Sequence, residues 1–207
     1  MWQKLELDNR ISSKKARIIF LVPNTYEPQQ VQEALYEAIS FRADNLHENE
    51  NFFPETLPEK PGSPKTASLL GGKFSALAQG NPKFEAMSID TSNAFYTVIG
   101  DAEAVSPVSG NVAIFQGAIY PYKEGYKVYL YLFYQEGSEG LIGSIVDKIS
   151  KSMVGEKDIR LVYIAQARDE FLTKIPDAKI VSQFPFKLAQ VKTESFAGGL
   201  GRSIKKQ

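Results

Sequence analysis

The clearest pattern along the chain runs from Gly110 to Gly137, where two long stretches of alternating side chains meet at Lys123-Glu124-Gly125. Successive side chains of a strand point to opposite faces, so the second stretch splits into two rows. Tyr126, Val128, Leu130, Leu132 and Tyr134 form one row, and Lys127, Tyr129, Tyr131, Phe133 and Gln135 the other. Both rows are apolar at their centre, which predicts an interior strand covered on both faces. The rows differ in kind. An aliphatic row suits a packed helix, whereas Tyr129, Tyr131 and Phe133 either complete a core or form a platform for a partner or a small apolar ligand, because tyrosine keeps a polar tip on a flat body. The preceding strand, from about Val112 to Tyr120, contains Gly117, which marks either a bulge or a place where a bulky cross-strand aromatic lies over the backbone. Gly125 is placed to supply the positive φ of a tight hairpin.

The remaining elements follow from the same reading. RIIFLV, Arg17 to Val22, is a buried strand ended by Pro23. Val31, Ala34, Leu35, Ala38 and Ile39 carry helical spacing over about 28–43, with Thr25 or Glu27 as cap and Pro28 in the first turn. Residues 44–65 contain Pro54, Pro58, Pro61 and Pro64 among acidic and amide side chains. That composition predicts a long irregular insertion, extended to about residue 83, pinned to the body by Phe52-Phe53. Thr66 to Ala78 reads as a short helix broken at Gly71-Gly72. Phe84 to Asp90 and Ala94 to Gly100 read as a hairpin. Ser138 to Gly155 has helical periodicity and a terminal glycine. Asp158 to Ala165 reads as a strand, Ala167 to Ile175 as a short helix stopped by Pro176, and Lys179 to Phe184 as the last strand.

The fold class expected is α+β: one mixed, mainly antiparallel sheet, with a central meander of about four strands plus N- and C-terminal strands, packed with two main helices. Residues 17–188 form its single domain, between a flexible leader (1–16) and a flexible basic tail (189–207). With 207 residues, 43% of them apolar, the chain is long enough to bury a substantial core.

Charge and rare residues narrow the chemistry. Twenty-four basic side chains balance 24 acidic ones, so no net field draws in nucleic acid. With no cysteine and His47 as the sole histidine, thiolate metal sites, cysteine nucleophiles and most histidine-based catalysis fall away. No metal or other cofactor is expected. His47 lies among Glu48, Asn49 and Glu50 and reads as a solvated loop histidine. Two phosphate-loop resemblances fail: PNTYEP has no glycine, and Gly71-Gly72-Lys73 has Ala67 where the first glycine belongs and Phe74 where Ser or Thr belongs.

No apolar run is long enough to span a bilayer, and the first residues do not open a signal peptide. The chain is either a cytoplasmic protein or the mature part of an exported one whose signal, with a lipid-bearing cysteine, has been removed. Its cysteine-free, Tyr/Asn/Gln-rich composition leans toward the cell envelope or periplasm. The leading functional expectation is a non-catalytic binding or assembly domain of lipoprotein-like kind, with a protein partner. The alternatives are a small-molecule carrier contacted by Tyr129, Tyr131 and Phe133, and a carboxylate-dependent hydrolase or lyase using Asp90, Asp101 and Glu103.

Overall fold

The computed structural model describes residues 12–66, 82–102, 113–136, 159–185 and 188–189. Eleven elements follow in chain order: β1 (Ser12–Pro23), α1 (Pro28–Ser40), β2 (Ala43–Glu50), β3 (Lys65–Thr66), α2 (Pro82–Met87), β4 (Ile89–Asp90), β5 (Tyr96–Ala102), β6 (Ala113–Tyr122), β7 (Gly125–Glu136), α3 (Ile159–Lys174) and β8 (Lys179–Phe184). Six strands form one sheet in the order β2-β5-β6-β7-β1-β8, antiparallel at every junction. The α+β architecture expected from the pattern is therefore present. β3 and β4 pair separately as a two-residue ladder.

β7 is an interior strand, flanked by β6 and β1, and Tyr126 through Tyr134 are buried apart from half-buried Lys127. Its aliphatic row meets Ile18, Phe20 and Val22 of β1 and Phe115 of β6 in the main core. Helices α1 and α3 cover that face, and Phe171 of α3 stacks on Phe20 with ring centroids 4.6 Å apart. Helix α1 buries the five side chains its spacing predicts, Val31, Ala34, Leu35, Ala38 and Ile39. It starts at Glu27, whose N–H donates to the Gln30 Oε1 at 2.9 Å.

Of two glycines in the central hairpin, Gly125 takes the positive φ expected of it, whereas over Gly117 lie Ile39 and Leu35 of α1 rather than a cross-strand aromatic. Gly117 sits in unbroken register between Val98 and Leu130, so it is no bulge. A Cβ there would lie 2.9 Å from both Ile39 Cδ1 and Leu35 Cδ2, and the missing side chain lets α1 settle onto the sheet. Gly125 has φ +140°, and a Cβ would lie 2.0 Å from the Val22 carbonyl oxygen.

Four segments depart from expectation, the first being residues 12–16, expected in a flexible leader, which open β1 paired with β7 and bury Ala16. Residues 43–50 are not loop but β2, an edge strand paired only with β5. Solvent takes most of its side chains, so no apolar alternation is required of it. A bulge between Asp44 and His47, with Asn45 at φ 51°, bends it. Residues 84–87, expected in a strand, and 82–83, expected at the end of the long insertion, form α2, with Pro82 in its first turn and Ser88 N–H closing on the Phe84 carbonyl at 2.9 Å. The expected hairpin with residues 94–100 is replaced by pairing of β5 with β2 and β6. Residues 159–165, also expected in a strand, are the first half of α3. No glycine or proline stands between Asp158 and Pro176, and burial of Leu161, Ile164, Ala165, Arg168 and Phe171 follows one helical stripe. The helices expected at 66–78 and 138–155 lie outside the described residues, apart from Thr66 in β3, as do residues 1–11 and the tail beyond 190.

β8, as expected, is a strand, returning antiparallel beside β1. It too carries a register shift, opposite Ile19/Phe20, so both outermost strands of the sheet are irregular while the inner ladders run unbroken.

Candidate functional site

Between β2 and β3 the four prolines deny the chain any ladder or helix, and residues 51–64 run as a strap across one end of the sheet. The strap is tied down along its length. Asn51 donates its N–H to the Phe95 carbonyl at 2.8 Å and its Nδ2 to the Ala94 carbonyl at 2.6 Å. The Phe53 ring meets Phe95 edge-on, centroids 5.0 Å apart. Further along, the Pro58 carbonyl accepts from Lys123 N–H at 3.0 Å, and Glu59 forms an ion pair with Lys123 at the hairpin tip. Gly62 lies against Tyr120, whose Cδ1 is 2.6 Å from where a Cβ would stand. Lys65 then pairs with Asp90 in the β3–β4 ladder.

The opposite wall is the turn before β5. Asp90 accepts the Ser92 N–H on Oδ1 at 2.9 Å, and Ala94 N–H closes on the Thr91 carbonyl at 2.8 Å. Hydrogen bonding from Ser92, helped by the Lys65 charge, holds the Asp90 carboxyl below its ordinary range.

Strap and turn enclose an open groove of about 370 Å³, floored by Tyr120 and Pro121 and walled by Phe52, Pro54, Pro58 and Phe95. That volume lies at the lower end of ordinary ligand clefts, roughly 300–1,000 Å³. Phe52 stands fully exposed at the rim, whereas its neighbour Phe53 is the ring that pins the strap. Lys60 is the one cation in the lining. Among the described residues it has no ion-pair partner, while Lys123, Lys83 and Lys174 pair with Glu59, Asp101 and Glu37.

The aromatic row is placed differently from an open platform. Tyr129, Tyr131 and Phe133 are 4%, 5% and 0% exposed, so they are interior. Tyr129 and Tyr131 stack with centroids 6.1 Å apart, Tyr131 and Phe133 at 5.6 Å, and Tyr120 meets Tyr129 edge-on at 5.6 Å. Strand register aligns Arg17, Tyr131 and Gln116 across three neighbouring strands, a polar line through this face. Burial pushes the Tyr131 hydroxyl up to about 12, with the Arg17 charge opposing it. Among the described residues Gln116 Oε1, Tyr120 Oη and Arg17 Nε are buried without hydrogen-bond partners. A ligand at these tyrosines would have to be an enclosed one.

The candidate carboxylates are occupied otherwise. Asp90 caps its turn, and Asp101 accepts Asn45 Nδ2 at 3.2 Å and faces Lys83 Nζ at 3.9 Å. Glu103 lies outside the described residues. His47 is exposed on the edge strand β2 rather than in a loop. Among the described residues no three His, Asp or Glu side chains gather in a way that could hold a metal ion, and no helix is long and apolar enough to cross a membrane.

The groove joins residues 51–62, 92–95 and 120–121, which only the sheet topology brings together. Phe52-Phe53 was its one visible signal. No protein-family model matches the chain, and no curated protein matches it.

Proposed function

We propose that the chain is a non-catalytic binding or assembly domain whose contact surface is the groove beneath the proline-rich strap. The observation that carries this reading is Phe52: a large apolar ring held in water at the rim of a groove whose walls are fastened to the sheet. Burying such a ring is worth about 1.5–3 kcal/mol, and a partner gains that without first ordering the strap. Asp90 and Asp101 lend no support to a carboxylate-dependent hydrolase or lyase, since a turn and an ion pair engage them. The cysteine-free composition supports placement in the cell envelope, as a periplasmic or lipoprotein-like protein.

A photo-reactive phenylalanine analogue at position 52, in cells making the full chain, tests the contact surface. A discrete cross-linked adduct is expected at 52 and none at Val181, an exposed apolar residue of β8. No adduct at 52, or the same products from both positions, overturns the proposal. Fractionation of the same cells tests the compartment, and recovery of the native gene product from cytosol alone rejects the envelope assignment.

A second reading, a small-molecule carrier, draws on the unpartnered Gln116 Oε1 and Tyr120 Oη beside the buried tyrosines. It predicts a co-purifying mass in native mass spectrometry that is lost on denaturation. A single species at the mass of the bare chain removes it.

A further inference from the structure

The groove is chemically lopsided. Its strap wall and floor are mainly apolar rings and prolines, the opposite turn adds Ser92 and Asn93, its one cation is Lys60, and no carboxylate lines it. The Asn51 amide is not free for a polar ligand, since its Nδ2 already donates to the carbonyls of Ala94 and Ser92, at 2.6 and 3.3 Å. We infer that the occupant is an extended segment of another protein that pairs an apolar or aromatic side chain with a nearby carboxylate. The apolar group packs between Phe52, Phe95 and Pro121, and the carboxylate faces Lys60.

Charge complementarity selects the carboxylate. Glu59 sits beside Lys60 in sequence but is committed to Lys123 at the hairpin tip, leaving the Lys60 ammonium without an ion-pair partner among the described residues. A phosphate or a free acid could meet the cation alone. The apolar walls require that the same ligand bring a hydrophobic group, and an acidic-apolar peptide satisfies both. A saccharide is the competing outcome: the Asn51 amide donor is taken, but Ser92 and Asn93 also line the groove with hydrogen-bonding side chains, and it is the apolar strap that favours the peptide. The contact is small and its ion pair exposed, so Lys60 sets selectivity more than strength.

The inference rests on the groove being the contact surface, and the two fail separately. The test probes the full chain with arrays of random eight-residue peptides, in parallel with a glycan array, for wild type, Lys60→Glu and Phe52→Ala. Both side chains are exposed, and matching melting curves verify that the variants fold. Wild type is expected to select peptides with Asp or Glu within two residues of an aromatic or aliphatic side chain. Recovered peptides should bind Lys60→Gln about two- to fivefold more weakly, the range of an exposed ion pair. Lys60→Glu should shift selection toward Lys and Arg, and Phe52→Ala should abolish it. Selection without acidic enrichment, selection indifferent to Lys60, glycan binding in place of peptide, or no selection at all overturns the inference. An adduct at position 52 in cells, with any of those results, leaves the contact surface standing and rejects only the chemistry assigned to it.

Discussion

The two faces of the six-stranded sheet are built from the same strands yet solve burial in different ways. On one, Ile18, Phe20, Val128, Leu130 and Leu132 lie under α1 and α3; Arg42 Nε donates to Gln166 Oε1 at 2.7 Å and Arg168 Nη1 to the Leu188 carbonyl at 3.3 Å, while Gln32 Nε2 of α1 is buried without a partner among the described residues. The other buries Tyr120, Tyr129, Tyr131 and Phe133, and leaves Gln116 Oε1, Tyr120 Oη and Arg17 Nε without partners. An unpaired buried polar atom costs about 1–3 kcal/mol. Among the described residues the aromatic face therefore carries three such atoms and the helix-covered side one, Gln32 Nε2.

The largest expected difference comes from emptying the helix-covered face. Phe171→Ala removes a fully buried ring stacked on Phe20 and should cost about 3–5 kcal/mol, read from the urea midpoint. A loss below about 1 kcal/mol would mean that α3 is not seated on the sheet.

Alkali should act on both faces, because burial also raises Tyr96 in the helix-covered core, and on the aromatic face Tyr131 and Tyr120 are the readout. Burial raises the Tyr131 hydroxyl from 10.0 to about 12 and raises Tyr120 as well. A group whose folded pKa lies above its unfolded value contributes stability that is complete below pH 10 and is lost as pH climbs through 12. Two pKa units for Tyr131 correspond to roughly 3 kcal/mol. Spectrophotometric titration should show tyrosines that ionise only as the chain unfolds above pH 10. Ionisation of every tyrosine near pH 10 in a still-folded chain would place that face in water.

The finest comparison sets two glutamines against each other. Gln116→Met exchanges an unsatisfied amide for an isosteric thioether and should leave the protein equally stable or up to about 1 kcal/mol more stable. Gln166→Met removes the acceptor of Arg42 and should lose about 1–2 kcal/mol. Equal losses at both sites would erase the distinction between the faces, and a loss at Gln116 alone would mean that its carbonyl is engaged in solution.

Much of this architecture was legible where one physical signal dominated. Val31 to Ile39 could only be a helical stripe, the alternation through 126–134 only a doubly covered strand, and Gly125 needed its positive φ. Legibility failed where the signal depends on neighbours. An edge strand such as β2 has no second partner and little to bury, so Asp44 to Glu50 shows none of the alternation that reveals an interior strand. Leu161 to Ala165 is an apolar run too short to distinguish strand from helix, and its helical phase emerges only when Arg168 and Phe171 are counted with it. At the groove, Phe53 was legible as an anchor. Phe95, Tyr120 and Pro121 were not, because no local pattern tells which distant segments meet at the end of a sheet.

The irregular outer strands have a consequence for how the molecule behaves in a crowd. A straight, unbroken margin would invite copies to line up rung upon rung into fibres, whereas the kinks at Asn45 and opposite Ile19/Phe20 spoil the template on both sides. Such a protein can stand at high local density without its neighbours zipping onto it.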